Sequence, residues 1–214
     1  MHIPDGFLAN EVWIPVAVIS TAALSLSVRN SNKQLLDKSI PRLGIISAFI
    51  FAAQMINFPV AGGTSGHLLG AALAVALMGP WLASVSLSLV LIIQSLLFQD
   101  GGVTALGANI FNMAFVGVFT AYFIQKLFSV NSKLFNLGII LSAWFSVVTA
   151  SLACALELYF SNITPFLFVV PAMTVIHSII GIGEAIITVA VYFSICKFIP
   201  DIGNISLAKN SAEK

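Results

Sequence analysis

The chain has 214 residues, of which 59% are hydrophobic and only 8% are charged, with a formal net charge of +1. Soluble domains carry about 25% charged residues, so this composition excludes both a soluble globular protein and a disordered chain. Its long unbroken apolar runs also argue against a membrane β-barrel, whose strands alternate apolar and polar residues. A helical crossing takes about 20 residues, so the length accommodates roughly seven to eight crossings and no soluble catalytic domain.

Apolar runs between charged or turn-forming clusters predict seven membrane-spanning helices in a single domain, residues 1–199. The predicted spans are, in chain order, about 10–28, 43–58, 67–79, 81–98, 108–127, 135–160 and 172–198. Gly79-Pro80 is interpreted as a tight turn between a short helix and a full one, because residues 67–98 are too long for one crossing. Residues 200–214 are predicted to form a polar cytoplasmic tail.

The positions of the basic residues support this topology. With seven spans and the N-terminus outside, every Lys and Arg falls on the cytoplasmic side, which is the positive-inside pattern. Six spans, with Gly79-Pro80 as a mere kink, would put Lys126 and Lys133 opposite Arg29. No Lys or Arg precedes the first span, so we interpret it as a retained helix rather than a signal peptide. The prediction is an all-α integral membrane protein with an extracytoplasmic N-terminus and a cytoplasmic C-terminus.

The N-terminus itself is a candidate metal ligand. A bulky residue at position two protects the initiator methionine from removal, so Met1 is expected to keep its α-amine. That amine, the deprotonated His2 amide nitrogen and His2 Nδ1 would close two fused chelate rings around one ion. Square-planar nitrogen sites suit Ni(II) or Cu(II), and a second histidine would complete the plane. A chance Met-His opening is the competing interpretation.

All three histidines are predicted on the outer side of the membrane. His67 stands in an uncharged loop of small residues at the start of the third span, and His177 lies in the outer third of the seventh. Non-helical backbone near a membrane is tolerated where it packs within protein or lines a cavity. Histidine is the commonest metal ligand, so His67 is the candidate to complete the plane. An ordinary interfacial loop is the alternative.

Further polar residues are expected around this site. Ionisable groups inside a membrane are costly and mark functional positions, although a hydrogen bond between helices is the competing interpretation for Glu157 and Glu184. Gln94 is a candidate partner for either carboxylate. The predicted pocket residues are Asp5, Ser65, Asp100, Asn109, Glu157, His177 and Glu184. Cys154 and Cys196 lie near opposite ends of their segments, so buried thiols are predicted rather than a disulfide.

Four segments of the chain carry a family resemblance. They are MHIPDGFL at the N-terminus, the TSGHLLG loop, ALGANIFNMA and GIGEAIIT. Together they resemble the CbiM/NikM family, the membrane subunits that capture substrate for cobalt and nickel energy-coupling-factor transporters, from Met1 to about Ile199. The resemblance implies seven spans and a square-planar metal site whose ligands fall on Met1, His2 and His67.

The same resemblance implies the cargo, the partners and the location. Ni²⁺ or Co²⁺ is the expected transported ion, with a slight preference for nickel because Pro4-Asp5 replaces the Met-Glu of the usual cobalt-type opening. The expected partners are a transmembrane coupling protein, two cytoplasmic ATPase subunits and a separate small auxiliary membrane protein, in the lipid bilayer of a prokaryotic cell membrane. No organic cofactor and no nucleic acid are expected.

One helix face is a candidate contact with the coupling protein. Ala17, Thr21 and Ser25 recur once per turn of the first span, and such small residues allow close helix approach. Internal packing is the alternative.

The chain is predicted not to be an enzyme. It has no GxxxxGK[ST] loop and therefore cannot be its own ATPase, and it has no HExxH motif. The alternative function is an ion-coupled secondary carrier that uses Asp100, Glu157 and Glu184 as proton relays. No inverted repeat, which is common in such carriers, is evident.

Overall fold

The structure, a computed structural model, describes residues 1–32, 39–60 and 64–198. The predicted tail, residues 200–214, lies outside the described residues. In chain order the elements are α1 (Asn10–Asn32), α2 (Ser39–Gln54), β1 (Phe58–Val60), β2 (Thr64–Gly66), α3 (Ala71–Met78), α4 (Pro80–Phe98), α5 (Leu106–Ile110), a π-helical segment (Phe111–Gly117), α6 (Val118–Leu127), α7 (Ser132–Phe160) and α8 (Phe166–Phe198).

The helices are those of a multi-pass membrane protein. The α5, π-helical and α6 segments form one continuous helix of 22 residues. Counted this way, the described ranges contain seven helices, and five of them are long and apolar enough to cross a membrane. The two shorter ones are α2, which is apolar, and α3, which has only eight residues. The number of crossings and the side on which each terminus lies stay predictions.

The second helix is shorter than its predicted span of 43–58. It ends at Gln54, and the chain continues into β1, which pairs antiparallel with β2 so that Phe58 lies opposite Gly66. Pro59 disfavours the helical conformation of Phe58, the residue before it, which is consistent with the strand that begins there. The hydrophobic run therefore extends past the end of the helix.

The third helix begins at Ala71, whereas the predicted span begins at residue 67. Residues 67–70 lie in neither a helix nor a strand and are enclosed by protein, and His67 and Leu69 are at most 1% exposed. Gly70 has φ +79° before the helix, a conformation that side chains disfavour. The predicted span of 67–79 thus begins with non-helical backbone, and α3 is short for that reason.

The chain behaves differently at Pro80 and at Pro171. Gly79, with φ +79°, separates α3 from α4, and Pro80 occupies the first turn of α4, where its missing N–H costs nothing. At Pro171 the helix is continuous, because α8 begins at Phe166, before the predicted span of 172–198, and includes Pro171. A proline close to a helix start removes only one intrahelical hydrogen bond.

The short helix α3 lies at the centre of the fold. All eight of its residues are buried, with α4, α6, α7 and α8 as its neighbours. The longest helices, α7 and α8, pack along each other, and α1 lies against α4 and α5, with Ser20, Ser27 and Ser31 on its buried side. This arrangement leaves a buried space between β2, the α4–α5 loop and α7, which the N-terminal residues fill.

Candidate metal centre

The first three residues are inserted into the helix bundle. Met1 and Ile3 are 0% exposed and His2 is 4% exposed. The Ile3 N–H donates to Asn109 Oδ1 at 2.8 Å, and Asn109 Nδ2 donates back to the Ile3 carbonyl at 3.1 Å. The Gly102 N–H donates to the same carbonyl at 2.8 Å. Asn109 therefore acts as a strand-like partner that sets the position of residues 1 and 2.

The α4–α5 loop closes over this segment from the other side. The Asp5 carboxylate accepts from the Thr104 hydroxyl at 2.5 Å, the Thr104 N–H at 2.7 Å and the Val103 N–H at 3.1 Å. These bonds, chiefly that of the Thr104 hydroxyl, hold the pKa of Asp5 below its ordinary value. A Cβ at Gly102 would collide with the Asp5 backbone nitrogen, so only glycine permits this approach.

The α-amine of Met1 lies against Ser65 of β2. It donates to the Ser65 carbonyl oxygen and, at 3.2 Å, to Ser65 Oγ, which also accepts from the His2 N–H at 3.2 Å. Burial lowers the pKa of the Met1 α-amine to about 5. At pH 7 the amine is therefore neutral and has a lone pair to offer a metal ion.

The His2 and His67 rings stack on each other, with centroids 4.5 Å apart and planes inclined by 21°. His2 Nδ1 is 3.2 Å from Asp100 Oδ1, and Asp100 Oδ2 accepts from Asn57 at 2.9 Å. Burial lowers the pKa of His2, and the Asp100 carboxylate opposes this only in part, so the ring is neutral at pH 7. For Asp100, burial raises the pKa, but the contacts with His2, the N-terminus and Asn57 together outweigh it and the pKa is lowered.

His67 and His177 each bond a backbone carbonyl through one ring nitrogen, which leaves the other ring nitrogen to be accounted for. His67 Nδ1 lies 2.8 Å from the Leu68 carbonyl oxygen, which only accepts, so Nδ1 carries the proton and Nε2 the lone pair. His177 Nδ1 donates likewise to the Met173 carbonyl at 2.8 Å. Both Nε2 atoms are buried and find no hydrogen-bond partner among the described residues. The His177 ring lies beside the Ser65 backbone, the residue whose Oγ accepts from the His2 N–H.

These donors suit a transition metal only if main-chain nitrogens take part. Within residues 1–32, 39–60 and 64–198, no group of three His, Cys, Asp or Glu side chains is placed to hold a metal ion. The Met1 amine, the His2 amide and the His2 ring are instead engaged with Ser65 and Asp100. Binding an ion at these nitrogens requires exchanging those contacts for metal bonds.

The two intramembrane carboxylates have different partners. Glu157 Oε2 accepts from Asn112 Nδ2 at 2.6 Å, which joins α7 to the π-helical segment and is the interhelical bond considered from the sequence. Glu184 accepts from the backbone N–H groups of Leu69 and Gly70. Gln94 bonds neither of them and lies buried beside His2. Neither carboxylate is grouped with the candidate nitrogens.

Two residues of this region were missed in the sequence. The Cys154 thiol donates to the Met1 carbonyl at 3.8 Å, and Gln54 Nε2 donates to the Leu69 carbonyl at 2.8 Å. Two sequence signals could have indicated these residues. Cys154 stands one helical turn before Glu157, and Gln54 is a polar amide at the end of an apolar helix. Neither cysteine forms a disulfide.

The small-residue face of α1 is divided by the fold. The Ala17 backbone packs against Gly107, where an added Cβ would lie 2.5 Å from the Ala17 Cα. Thr21 and Ser25 are exposed, and their hydroxyls donate to carbonyls one turn earlier in α1. Of the three predicted contact residues, Thr21 and Ser25 thus remain available to a partner.

We expect Asn109→Ala to weaken metal binding about tenfold to 100-fold, the range found for residues that support metal ligands. The substitution removes both side-chain bonds to Ile3, so the N-terminus is no longer held in register with Ser65. Calorimetric titration of the purified protein with Ni²⁺ measures the loss. Asn10→Ala is the control, because Asn10 is exposed and its side chain accepts from the Trp13 indole instead of contacting residues 1–3, and equal losses would contradict the role of Asn109.

Comparison with known proteins points to metal transport. Residues 2–202 match the family described as CbiM, cobalt uptake substrate-specific transmembrane region. The cobalt transport protein CbiM of Acetoanaerobium sticklandii is 31% identical over 202 residues, which cover 90% of this chain and 83% of that one. The fused nickel transport protein NikMN of Rhodobacter capsulatus is 32% identical over 206 residues, covering 88% of this chain and 59% of that one.

The fold also matches an experimental structure. A crystal structure of a transition metal transporter superposes with a TM-score of 0.86 and 36% sequence identity, covering 96% of this chain and 98% of the other. Identity at this level over nearly the whole chain extends the likeness beyond fold alone.

Proposed function

The chain belongs to the CbiM family of cobalt uptake substrate-specific transmembrane proteins, and from this membership we propose that it captures Ni²⁺ or Co²⁺ for an ATP-driven importer. As a member of that family it is a component of transition-metal transport. The observation that carries the proposed site is the buried, neutral α-amine of Met1 beside the His2 and His67 rings. A neutral amine is a good metal ligand. Burying it brings no structural benefit by itself, because moving a polar group out of water costs free energy.

Four nitrogens are the proposed ligands. They are the Met1 amine, the His2 amide, His2 Nδ1 and His67 Nε2, arranged around the ion in a square plane. As the ion arrives, it displaces Ser65 from the amine and amide and Asp100 from the His2 ring. The supporting residues in this proposal are Asp100, Ser65 and Asp5. Asp5 acts through its hydrogen bonds from the Thr104 and Val103 N–H groups.

This ligand set gives the selectivity of the site a physical basis. Mg²⁺ and Ca²⁺ prefer oxygen ligands, and Zn²⁺ prefers a tetrahedron, so a planar nitrogen site disfavours all three. Cu²⁺ binds such nitrogens at least as strongly as Ni²⁺, so its availability decides whether it competes. We place nickel slightly ahead of cobalt because of the Pro4-Asp5 opening.

The proposed partners follow from the family. We propose a transmembrane coupling protein, two cytoplasmic ATPase subunits and a small auxiliary membrane protein. The Rhodobacter relative supports the last of these, since it is named as a fusion and this chain aligns with 59% of it. In this arrangement the chain binds the ion and its partners hydrolyse ATP.

We expect Ni²⁺ binding at pH 7 to release about one proton, from the His2 amide, rather than about two. The α-amine has lost its proton already, because its pKa is about 5 instead of the ordinary 8.0. As the pH falls through 5 the amine becomes protonated, and the affinity then falls more steeply. Calorimetry in buffers of different ionisation enthalpy counts the protons. Release of two at pH 7 would contradict a neutral buried amine.

Metal uptake should depend on the ATPase partners. We expect cells that express the full transporter to accumulate radioactive nickel, and cells that lack only the ATPase subunits to lose uptake to background. Proteoliposomes loaded with ATP should keep uptake in the presence of a protonophore. If uptake survives without the ATPases and collapses with a protonophore, the chain is a secondary carrier, and Asp100, Glu157 and Glu184 become its proton-carrying candidates.

A further inference from the structure

Beyond the proposed ligands, the buried carboxylate that bonds the backbone next to His67 is Glu184. It lies in the middle of α8 and is 2% exposed. Its Oε2 accepts from the Leu69 N–H at 2.8 Å, and its Oε1 accepts from the Gly70 N–H at 2.6 Å. Both carboxylate oxygens therefore accept hydrogen bonds from the non-helical backbone that follows His67.

One of these bonds reaches His67 through a single peptide group. The Leu69 N–H belongs to the same peptide unit as the Leu68 carbonyl, and that carbonyl lies 2.8 Å from His67 Nδ1. The hydrogen bonds thus run from Glu184 to the Leu68–Leu69 peptide and from that peptide to the His67 ring. Bonds in such a chain polarise one another, and the carboxylate strengthens the carbonyl as an acceptor.

The peptide is held from the opposite side as well. Gln54, at the end of α2, donates to the Leu69 carbonyl at 2.8 Å. Gly70 adopts φ +79°, and a Cβ there would lie 2.8 Å from the Ile50 side chain. Side chains from α2 and α8 therefore determine the path of residues 68–70, and with it the direction of the His67 ring.

We propose that Glu184 is a positioning residue for metal capture, because through the Leu68–Leu69 peptide it fixes the His67 ring with Nε2 facing the ion. The inference rests on the proposed function, in which His67 Nε2 is the fourth ligand. Metal-binding histidines generally donate their other N–H to a carboxylate or carbonyl, and removing such partners costs about 10–100-fold in affinity. Here the carboxylate acts one peptide group away.

The test is Glu184→Gln in the purified, untagged protein, titrated with Ni²⁺. Glutamine keeps the size but offers one carbonyl oxygen, so one of the two buried N–H groups loses its acceptor. We expect the affinity to fall about tenfold, at the lower end of the range for supporting residues. We also expect the d–d absorption band of the bound nickel to move toward that of His67→Ala, because the fourth nitrogen leaves the plane. Destabilisation alone lowers the amount of folded protein without moving this band.

Glu157→Gln is the matched control. It makes the same change in α7, where the carboxylate accepts from Asn112 instead of from the backbone after His67. Wild-type affinity and band position are expected for this variant. If Glu157→Gln shifts the band as far as Glu184→Gln does, the effect is not specific to the His67 segment and the positioning role is wrong.

The outcomes separate the inference from the proposed function. If wild-type protein binds no Ni²⁺, or His67→Ala leaves the band unchanged, the proposed site itself fails. If both behave as expected while Glu184→Gln keeps wild-type affinity and band, only the positioning role is overturned. Should Glu184→Gln not fold, Gln54→Met removes the opposite anchor and is expected to shift the band the same way with a smaller loss. A wild-type band and affinity in Gln54→Met would then overturn it.

Discussion

Blocking the N-terminus should abolish metal binding. An N-terminal tag or acetylation turns the Met1 amine into an amide, which removes one ligand and opens one chelate ring. The terminus is also fully buried against Ser65, so an added segment has no place in the folded protein without displacing residues 1–3. We expect the Ni²⁺ affinity to fall by about 1,000-fold or more, equivalent to about 4 kcal/mol of binding free energy.

The measurement is calorimetric titration of two forms of the chain. One carries a short tag before Met1, and the other carries the same tag after Lys214. The C-terminal tag should leave binding unchanged, since the proposed ligands all belong to the segment between Met1 and His67. Full-strength binding of Ni²⁺ or Co²⁺ by the N-terminally blocked form would show that the α-amine is not a ligand, and the chelate would have to be abandoned.

His67→Ala is expected to have the second largest effect. It removes the one proposed ligand that is distant in sequence from the N-terminus, and three nitrogens from Met1 and His2 remain. We expect an affinity loss of about 100-fold or more, because removing a direct ligand should exceed the 10–100-fold cost of removing a supporting residue. Bound nickel should also change its absorption spectrum as a weaker ligand enters the plane.

His177→Ala is the matched control for His67→Ala. Both side chains are buried, both donate Nδ1–H to a backbone carbonyl, and both have Nε2 unpaired within the described residues. Of these two histidines, only His67 contacts the ion in the proposed function. His177→Ala should therefore lower the affinity by less than about tenfold, which is less than the loss expected on removing a supporting residue. Equal losses in the two variants would make His177 a ligand and would require a larger coordination set than a square plane.

The candidate ligands can be recognised in the amino-acid sequence because they are few and chemically distinctive. Met1 and His2 are adjacent, so their chelating geometry is local and needs no fold. His67 stands out as one of three histidines and lies in a loop without charge. The partners of these residues are less accessible to sequence reasoning. Ser65, Asp100 and Asn109 are expected in the pocket, yet their individual bonds to the amine, to the His2 ring and to Ile3 depend on how separate helices pack.

The predicted helix order follows from hydrophobicity, and the errors occur where side chains satisfy the backbone. Residues 67–70 are apolar enough to be interpreted as the start of a helix. They are non-helical, and Glu184 and Gln54 bond the N–H groups of Leu69 and Gly70 and the Leu69 C=O, which satisfies these groups without helical hydrogen bonds in an apolar environment. Those two residues are distant along the chain, so no local pattern around His67 indicates them.

The class of protein and the chemistry of its N-terminus follow from the order and kind of the amino acids alone. The composition places the chain in a membrane, because 8% charged residues cannot cover a surface in water. Met1 and His2 are adjacent in the chain, which allows their nitrogens to chelate one ion. Folding adds three properties: the terminus is buried, its amine is neutral at pH 7, and His67 reaches it. These properties arise from burial and long-range hydrogen bonds, and both depend on contacts between residues up to 153 positions apart.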